Sequence, residues 1–261
     1  MEKTERVIAN SIAIIDLPKI KSNIEKINKQ IGQDSEIMSV LKGDAYGHGM
    51  IEIAKYITSE CGITKLAVAQ VREAVQLREA GIDSMIMILG GVPYNNIEEV
   101  VEYDLVVPVF TKEFADLISK ESIKKNKKTK VHIAVDTGLK RIGVQVGSQL
   151  QELIDSIRDL KGIEIEGMFT HFAEAEISDK SFSYKQLELF KEAIKQVEEN
   201  GLKLKYYHCA NTAAISSIPE SYYDLVRAGG LYLGYDPCEG EYNKLGLEFA
   251  LSWKAWVTNV K

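Results

Sequence analysis

The stretch Glu36-Ile-Met-Ser-Val-Leu-Lys-Gly-Asp-Ala-Tyr-Gly-His-Gly49 decides how the chain is organised. Residues 37–41 are an apolar run of strand length, and Lys42 follows them directly. Three glycines, a tyrosine and a histidine come next, before a helical pattern that begins at Met50. The pattern predicts a strand whose carboxyl end carries an amine, followed by a flexible loop. In an α/β barrel, this end of the strands is where catalytic groups lie.

Strand-like and helical runs alternate along the 261 residues. The predicted strands are residues 11–17, 36–42, 65–69, 85–89, 105–110, 130–135, 163–170 and 205–210. Helical patterns fill the gaps, and the first of them opens at Pro18. Eight such repeats favour a parallel α/β (β/α)8 TIM-type barrel, which needs about 250 residues.

The last residues do not fit that repeat. Residues 249–260 have the partial alternation of a strand, and no later segment could pair with it. We therefore expect an N-terminal segment at 1–10, a barrel at 11–245, and at 246–261 the first strand of a missing C-terminal β domain. An unpaired apolar strand would promote association.

Composition excludes several classes of protein. A net charge of −6 leaves no basic surplus for nonspecific nucleic-acid binding. No apolar run reaches the ~20 residues of a membrane span, and the charged N-terminus does not resemble a signal peptide. Three scattered cysteines have no metal-ligand spacing, so we expect no metal and a cytoplasmic protein.

Further polar residues fall where other predicted strands end. Besides Lys42 and Tyr46, they are Arg141, His171, Asn211, Thr212 and, before a chain turn, Arg227 with Gly229 and Gly230. Taken singly, each has an ordinary alternative as a solvated lysine, an ion-pair arginine or a structural polar residue. In a barrel, however, all would meet at one rim. An amine, two guanidinium groups, hydroxyls and glycine amides suit an anionic, phosphate-bearing ligand.

The run Lys42-Gly-Asp-Ala-Tyr-Gly-His-Gly49 resembles the cofactor-lysine motif of alanine racemases, with Gly43 where that family usually has alanine. The other segments resemble the same family in the same order, from about residue 10 to residue 261. The resemblance implies pyridoxal 5′-phosphate as cofactor, interconversion of L- and D-alanine for peptidoglycan, and a homodimer.

The resemblance also implies a role for each residue. Lys42 would bond the cofactor covalently and act as acid and base on one face of the substrate Cα. His171 and Arg227 would border the pyridine ring, and Arg141 would steer the cofactor phenolate and the substrate carboxylate. The remaining cofactor-binding residues would be Tyr46, Asn211, Thr212, Gly229 and Gly230, mostly around the phosphate.

The chain departs from the family pattern in places. Ala134 stands where a carbamylated lysine is common, and Thr212 where serine is usual. The second catalytic base of the family, a tyrosine contributed by the other subunit, would lie beyond Lys261. Three alternatives remain at this point: a serine-preferring or broad-specificity racemase, a non-catalytic barrel that binds pyridoxal phosphate, and a related decarboxylase.

Overall fold

The structure, a computed structural model, describes residues 10–238 and 244–260. Eight parallel strands form two four-stranded sheets. The strands are β2 (Glu36–Val40), β3 (Lys65–Val68), β4 (Met85–Ile88), β5 (Val107–Val109), β6 (Thr129–Ala134), β7 (Ile163–Phe169), β8 (Tyr206–His208) and β9 (Leu225–Ala228). Their orders in the two sheets are β4-β3-β2-β9 and β5-β6-β7-β8.

The two sheets meet at two seams. At one seam, the Ile88 amide donates to the Val106 carbonyl at 2.8 Å and the Val106 amide donates to Ile86 at 2.9 Å. At the other, the Arg227 amide donates to the Ala210 carbonyl at 3.0 Å. Neither seam is a continuous ladder among the described residues, and the arrangement is consistent with a TIM-type barrel. The predicted parallel α/β fold is confirmed.

Helices cover the outside of the sheets. The helical segments are α1 (Leu17–Ile31), α2 (Lys42–Gly47), α3 (Met50–Glu60), α4 (Val71–Glu79), α5 (Ile97–Glu102), α6 (Lys112–Lys124), α7 (Ser148–Ile157), α8 (Ser181–Glu199) and α9 (Thr212–Ser217), and all but α2 are right-handed. Helix α1 begins where Asp16 accepts a hydrogen bond from the Lys19 amide at 3.2 Å, and it ends at Gly32 with φ of 78°. Its isoleucines at helical spacing are buried against the sheet.

Two layers of apolar side chains hold the fold together. The larger cluster lies between strands and helices, whereas the smaller one is contributed by inward-facing strand residues. Met38, Val40, Ala67, Met87 and Phe169 belong to the inner cluster and are at most 5% exposed. Parallel strands that are buried on both faces have continuous apolar sequences. These strands could therefore be predicted from the sequence.

The first and last described strands differ from the prediction. Strand β1 (Ser11–Ile15) is not a barrel strand but pairs antiparallel with β10 (Leu251–Ala255). The expectation that the last strand would lack a partner is therefore wrong, because its partner lies at the other end of the chain. Trp253 on β10 is nonetheless 76% exposed. The eighth strand of the two parallel sheets is β9, which was not predicted as a strand.

Of the predicted N-terminal segment 1–10, only Asn10 is within the described residues, and Lys261 lies outside them. In the part of the chain that the structure describes, none of the helices has the length and apolar character needed to cross a membrane.

Candidate active site

Lys42 begins an unusual turn at the end of β2. Gly43, Asp44, Ala45 and Tyr46 all have φ between 52° and 63° and ψ between 36° and 49°, so the segment is one turn of left-handed helix. Such a conformation costs about 1–2 kcal/mol for each non-glycine residue and normally occurs at single positions. The turn brings Lys42 and Tyr46, four residues apart, to the same cavity, with Lys42 Nζ 5.9 Å from the tyrosine ring centroid.

A cavity of about 200 Å³ brings together most of the residues predicted for the site. Its lining includes Lys42, Tyr46, His171, Asn211, Thr212, Arg227 and Gly229. Gly230 lines an adjoining cavity of about 500 Å³ together with Tyr46 and Thr212. Arg141 lines a small cleft that it shares with His171. The convergence expected of a barrel rim is therefore observed, although the role of each residue stays a prediction.

Arg227 is 2% exposed and reaches the cavity from β9. Its Nη1 donates to His208 Nδ1 at 2.8 Å and to the His208 carbonyl at 3.1 Å. Its Nη2 donates to the carbonyls of Thr170 at 2.8 Å and Cys209 at 3.0 Å. Burial lowers the pKa of Arg227 to about 10, which still leaves a cation at neutral pH. Among the described residues, Nε is buried without a hydrogen-bond partner.

A chain of buried polar groups continues from Arg227 through the barrel interior. His208 Nε2 lies 2.9 Å from His132 Nδ1, and His132 Nε2 lies 3.5 Å from Glu166 Oε2. Lys130 donates to the other Glu166 oxygen at 2.7 Å. Burial lowers the pKa values of both histidines, so both are neutral. Since Arg227 donates to His208, the consistent tautomers have the proton on Nε2, and each ring donates toward the carboxylate.

His171 contacts the arginine from the other side. Its Nδ1 lies 3.2 Å from Arg227 Nη2 and therefore accepts a hydrogen bond. Burial lowers the pKa of His171 well below its ordinary value, and the charges of Arg227, Arg141 and Lys42 lower it further. The imidazole is thus neutral, and its proton lies on Nε2.

Hydroxyl and amide groups form a second part of the site. The Gly229 amide donates to Thr212 Oγ1 at 3.1 Å. A Cβ added at Gly229 would collide with the Tyr46 hydroxyl and lie 3.4 Å from Thr212 Oγ1. Partial burial raises the pKa of Tyr46 to about 12, so its hydroxyl is a donor. Asn211 is used locally, because its Oδ1 accepts from the Ala214 amide at 3.0 Å and caps α9.

Arg141 and Ala134 lie in the same cleft beside His171. Ala134 is 1% exposed and belongs to the inner apolar cluster. Within the described part of the chain, the Arg141 side chain makes no hydrogen bond or ion pair. Ala134 therefore offers this arginine neither a hydrogen bond nor a charge from its side chain.

The sequence analysis missed His132, Glu166 and Glu73 as candidate site residues. The first two were detectable as ionisable residues within predicted strands, and they are at most 3% exposed. Glu73, which contacts the Lys42 turn through the Gly43 amide at 2.7 Å, lies in an ordinary polar position of α4. No pattern in the sequence distinguished it.

Comparison with known proteins places the chain in a family. The family model described as "Alanine racemase, N-terminal domain" matches residues 15–237. The alanine racemase of Methanococcus maripaludis is 40% identical over 250 residues, which are 95% of this chain and 67% of the relative. That of Clostridium tetani is also 40% identical, over 95% of this chain and 64% of the relative. The chain thus spans about two thirds of the length of these relatives.

Solved structures give the same result. The alanine racemase of Clostridium difficile 630 in complex with cycloserine has a TM-score of 0.94 and 32% identity, covering 98% of this chain and 70% of its own. The Bacillus anthracis alanine racemase with bound L-Ala-P has a TM-score of 0.88 and 35% identity, covering 95% of this chain and 64% of its own. Motif, site geometry and both comparisons agree, and the chain therefore belongs to the alanine racemase family, with residues 15–237 corresponding to its N-terminal domain.

Proposed function

We propose that this chain forms the pyridoxal-phosphate-binding part of an alanine racemase, which interconverts L- and D-alanine. One observation carries the proposal: buried Arg227, whose Nε has no hydrogen-bond partner among the described residues, lines the same cavity as Lys42. A buried donor without a partner costs about 1–3 kcal/mol. A bound acceptor would remove that cost, and a pyridine nitrogen is such an acceptor.

The residues present also fit the phosphate of the cofactor. The Tyr46 hydroxyl lies beside Gly229, whose amide donates to Thr212 Oγ1, so three polar groups lie together at the cavity. The positive charges of Lys42 and Arg227 line the same cavity, where Glu176 is the acidic side chain. This charge balance favours a dianion.

Each residue then has a defined task. When bound, pyridoxal phosphate withdraws electrons from the substrate Cα and so makes its hydrogen acidic. Lys42 Nζ would hold the cofactor covalently through the aldehyde carbon, with loss of water. Once the substrate amine had replaced it at that carbon, the freed Nζ would take and return the proton on one face of Cα. Arg227 Nε keeps its own proton, because the pKa of the guanidinium stays near 10 even when buried. It therefore orients the ring without protonating it.

Other parts of the reaction rest on the resemblance. We assign the substrate carboxylate and the cofactor phenolate to Arg141, whose guanidinium is exposed beside His171. Racemisation needs a base on each face of Cα, and we assign only Lys42 within these residues. A homodimer, a role in peptidoglycan synthesis and a cytoplasmic location are further proposals, supported by the family and, for the location, by three free cysteines.

Alanine is favoured over the other substrates considered. The relatives described above are named alanine racemases, and none of those names mentions serine or a decarboxylation. The substrate preference is measurable by competition with L-serine in the assay below.

The experiment follows the Cα hydrogen of alanine directly. The chain is loaded with pyridoxal phosphate in D₂O, and loss of the Cα proton signal of L- and D-alanine is followed by NMR. We expect cofactor-dependent exchange of the Cα hydrogen of one enantiomer. Lys42→Ala should abolish the exchange. Exchange that persists in Lys42→Ala, or that needs no cofactor, would refute the proposal.

A further inference from the structure

Glu73 joins two neighbouring strand ends at the site. Its Oε1 accepts from the Gly43 amide at 2.7 Å. Its Oε2 accepts from the amides of Ala69 at 2.9 Å and Gln70 at 3.0 Å. Gly43 follows Lys42 at the end of β2, whereas Ala69 follows the adjacent parallel strand β3. One carboxylate thus satisfies three backbone donors that belong to two loops.

The bonds to Ala69 and Gln70 have an ordinary explanation. Glu73 is the third residue of α4, and a glutamate at this position commonly accepts from the residue that caps the helix. The bond to Gly43 does not belong to that motif, because it lies 30 residues away in the sequence. It is made by the first amide of the left-handed turn.

The position of that amide matters for Lys42. The turn needs positive φ at three consecutive non-glycine residues, which only surrounding contacts can maintain. Within the turn, Asp44 Oδ1 accepts from the Met50 amide at 2.7 Å and ties the turn to α3. At its near end, the peptide that joins Lys42 to Gly43 is held by Glu73. Without this acceptor, the exposed Gly43 amide could rotate toward water at little cost. The orientation of the Lys42–Gly43 peptide, with which the turn begins, would then no longer be fixed.

We infer that Glu73 is a positioning residue for Lys42: its carboxylate fixes the Lys42–Gly43 peptide and thereby directs the amine into the cavity. The inference goes further than the proposed function but rests on it for the consequence at the cofactor. Its structural part concerns only the chain and can be measured without cofactor.

Glu73→Gln separates this task from helix capping. A glutamine has one acceptor oxygen, and turning it toward the amides of Ala69 and Gln70 preserves the cap. The side-chain NH₂ then faces the Gly43 amide, so the hydrogen bond to Gly43 is lost. Asp16→Ala is the matched control, because it removes an acidic cap from α1 without touching the Lys42 turn.

The test measures amide hydrogen exchange by NMR in the cofactor-free chain, and covalent loading of Lys42 by titration with pyridoxal phosphate. In Glu73→Gln, we expect exchange at Gly43 to accelerate about tenfold or more, since a hydrogen bond to a charged group is lost. Exchange at Ala69 should change much less. The equilibrium constant for loading should fall by a similar factor, and Asp16→Ala should leave both quantities unchanged.

Unchanged Gly43 exchange in Glu73→Gln would overturn the inference. If Asp16→Ala weakens cofactor loading as much as Glu73→Gln does, the inference is also overturned, because loss of any helix cap would then explain the weaker loading. Failure of the wild-type chain to load at Lys42 would refute the proposed function instead, and Gly43 exchange would still decide whether the carboxylate holds the turn.

Discussion

The substitution Gly229→Ala should weaken binding of pyridoxal phosphate by displacing Tyr46. The added methyl group would collide with the Tyr46 hydroxyl and lie 3.1 Å from Cζ of that ring. Tyr46 is 43% exposed, so its ring can move outward into solvent. The hydroxyl would then be lost from the group of donors around Thr212.

The size of the effect follows from the hydrogen bond that is lost. A hydrogen bond to a charged group contributes about 1.5–3 kcal/mol, which corresponds to roughly 10- to 150-fold in the dissociation constant. Pyridoxal, which lacks the phosphate, should bind almost as well as it does to the wild-type chain. Gly91→Ala is the control, because an added Cβ there meets only the Phe110 ring at 3.8 Å.

Equilibrium dialysis with pyridoxal phosphate and with pyridoxal measures both constants. Tyr46→Phe should reproduce the loss, and the double variant with Gly229→Ala should be no weaker than either single variant, because both remove the same hydroxyl. A double variant whose loss in affinity equals the product of the two single losses would contradict a shared hydroxyl. An equal fall in the affinities for pyridoxal and pyridoxal phosphate would contradict a contact to the phosphate.

Three further outcomes concern the buried polar chain. Arg227→Lys keeps the positive charge but loses the planar guanidinium that donates to His208. Chemical denaturation should therefore show a free energy of unfolding lower by at least ~2 kcal/mol. An unchanged free energy of unfolding would contradict the described contacts. Burial opposes ionisation of Glu166, yet hydrogen bonds from His132 and Lys130 lower its pKa from 4.5 to about 2. This depressed pKa stabilises the fold above about pH 4.5, and the stabilisation is lost as pH falls toward 2. Glu166→Gln should therefore lower the free energy of unfolding by on the order of 3 kcal/mol at pH 7 and by little near pH 2. Equal destabilisation at both pH values would show that the Glu166 carboxylate is not ionised in the folded state. Burial also lowers the pKa values of His132 and His208. Wild-type stability should therefore fall as the pH drops below ~6.5, by at most about 1.4 kcal/mol per pH unit for each histidine. If His132→Gln shows the same slope as the wild type, His132 is protonated in the folded state.

The parallel strands were predictable because burial on both faces leaves a continuous apolar run. The identity of the eighth strand was not, since β9 has only four residues, Leu225–Ala228, and one of them is the buried Arg227. Strand β1 was assigned to the barrel because its local pattern is that of any short strand. Its pairing with β10 depends on residues about 240 positions away, which a local pattern cannot show.

The site was predictable to a similar extent. Lys42 and His171 were found because they follow or end apolar strands, where a barrel gathers its functional groups. Arg227 was found before a chain turn and through the family resemblance, without its strand. The left-handed turn was not predicted, because only Gly43 among its four residues favours positive φ. Asp44, Ala45 and Tyr46 adopt that conformation through tertiary contacts, among them the bond from Gly43 to Glu73.

Chemical trapping of the cofactor tests the central claim most directly. The chain is loaded with pyridoxal phosphate, reduced with borohydride, digested and mapped by mass spectrometry, with Lys42→Ala treated in parallel. The account predicts that the reduced cofactor is found on Lys42 and that labelling at stoichiometric cofactor is lost in the variant. A cofactor fixed on another lysine while Lys42 stays unmodified would contradict the site described here.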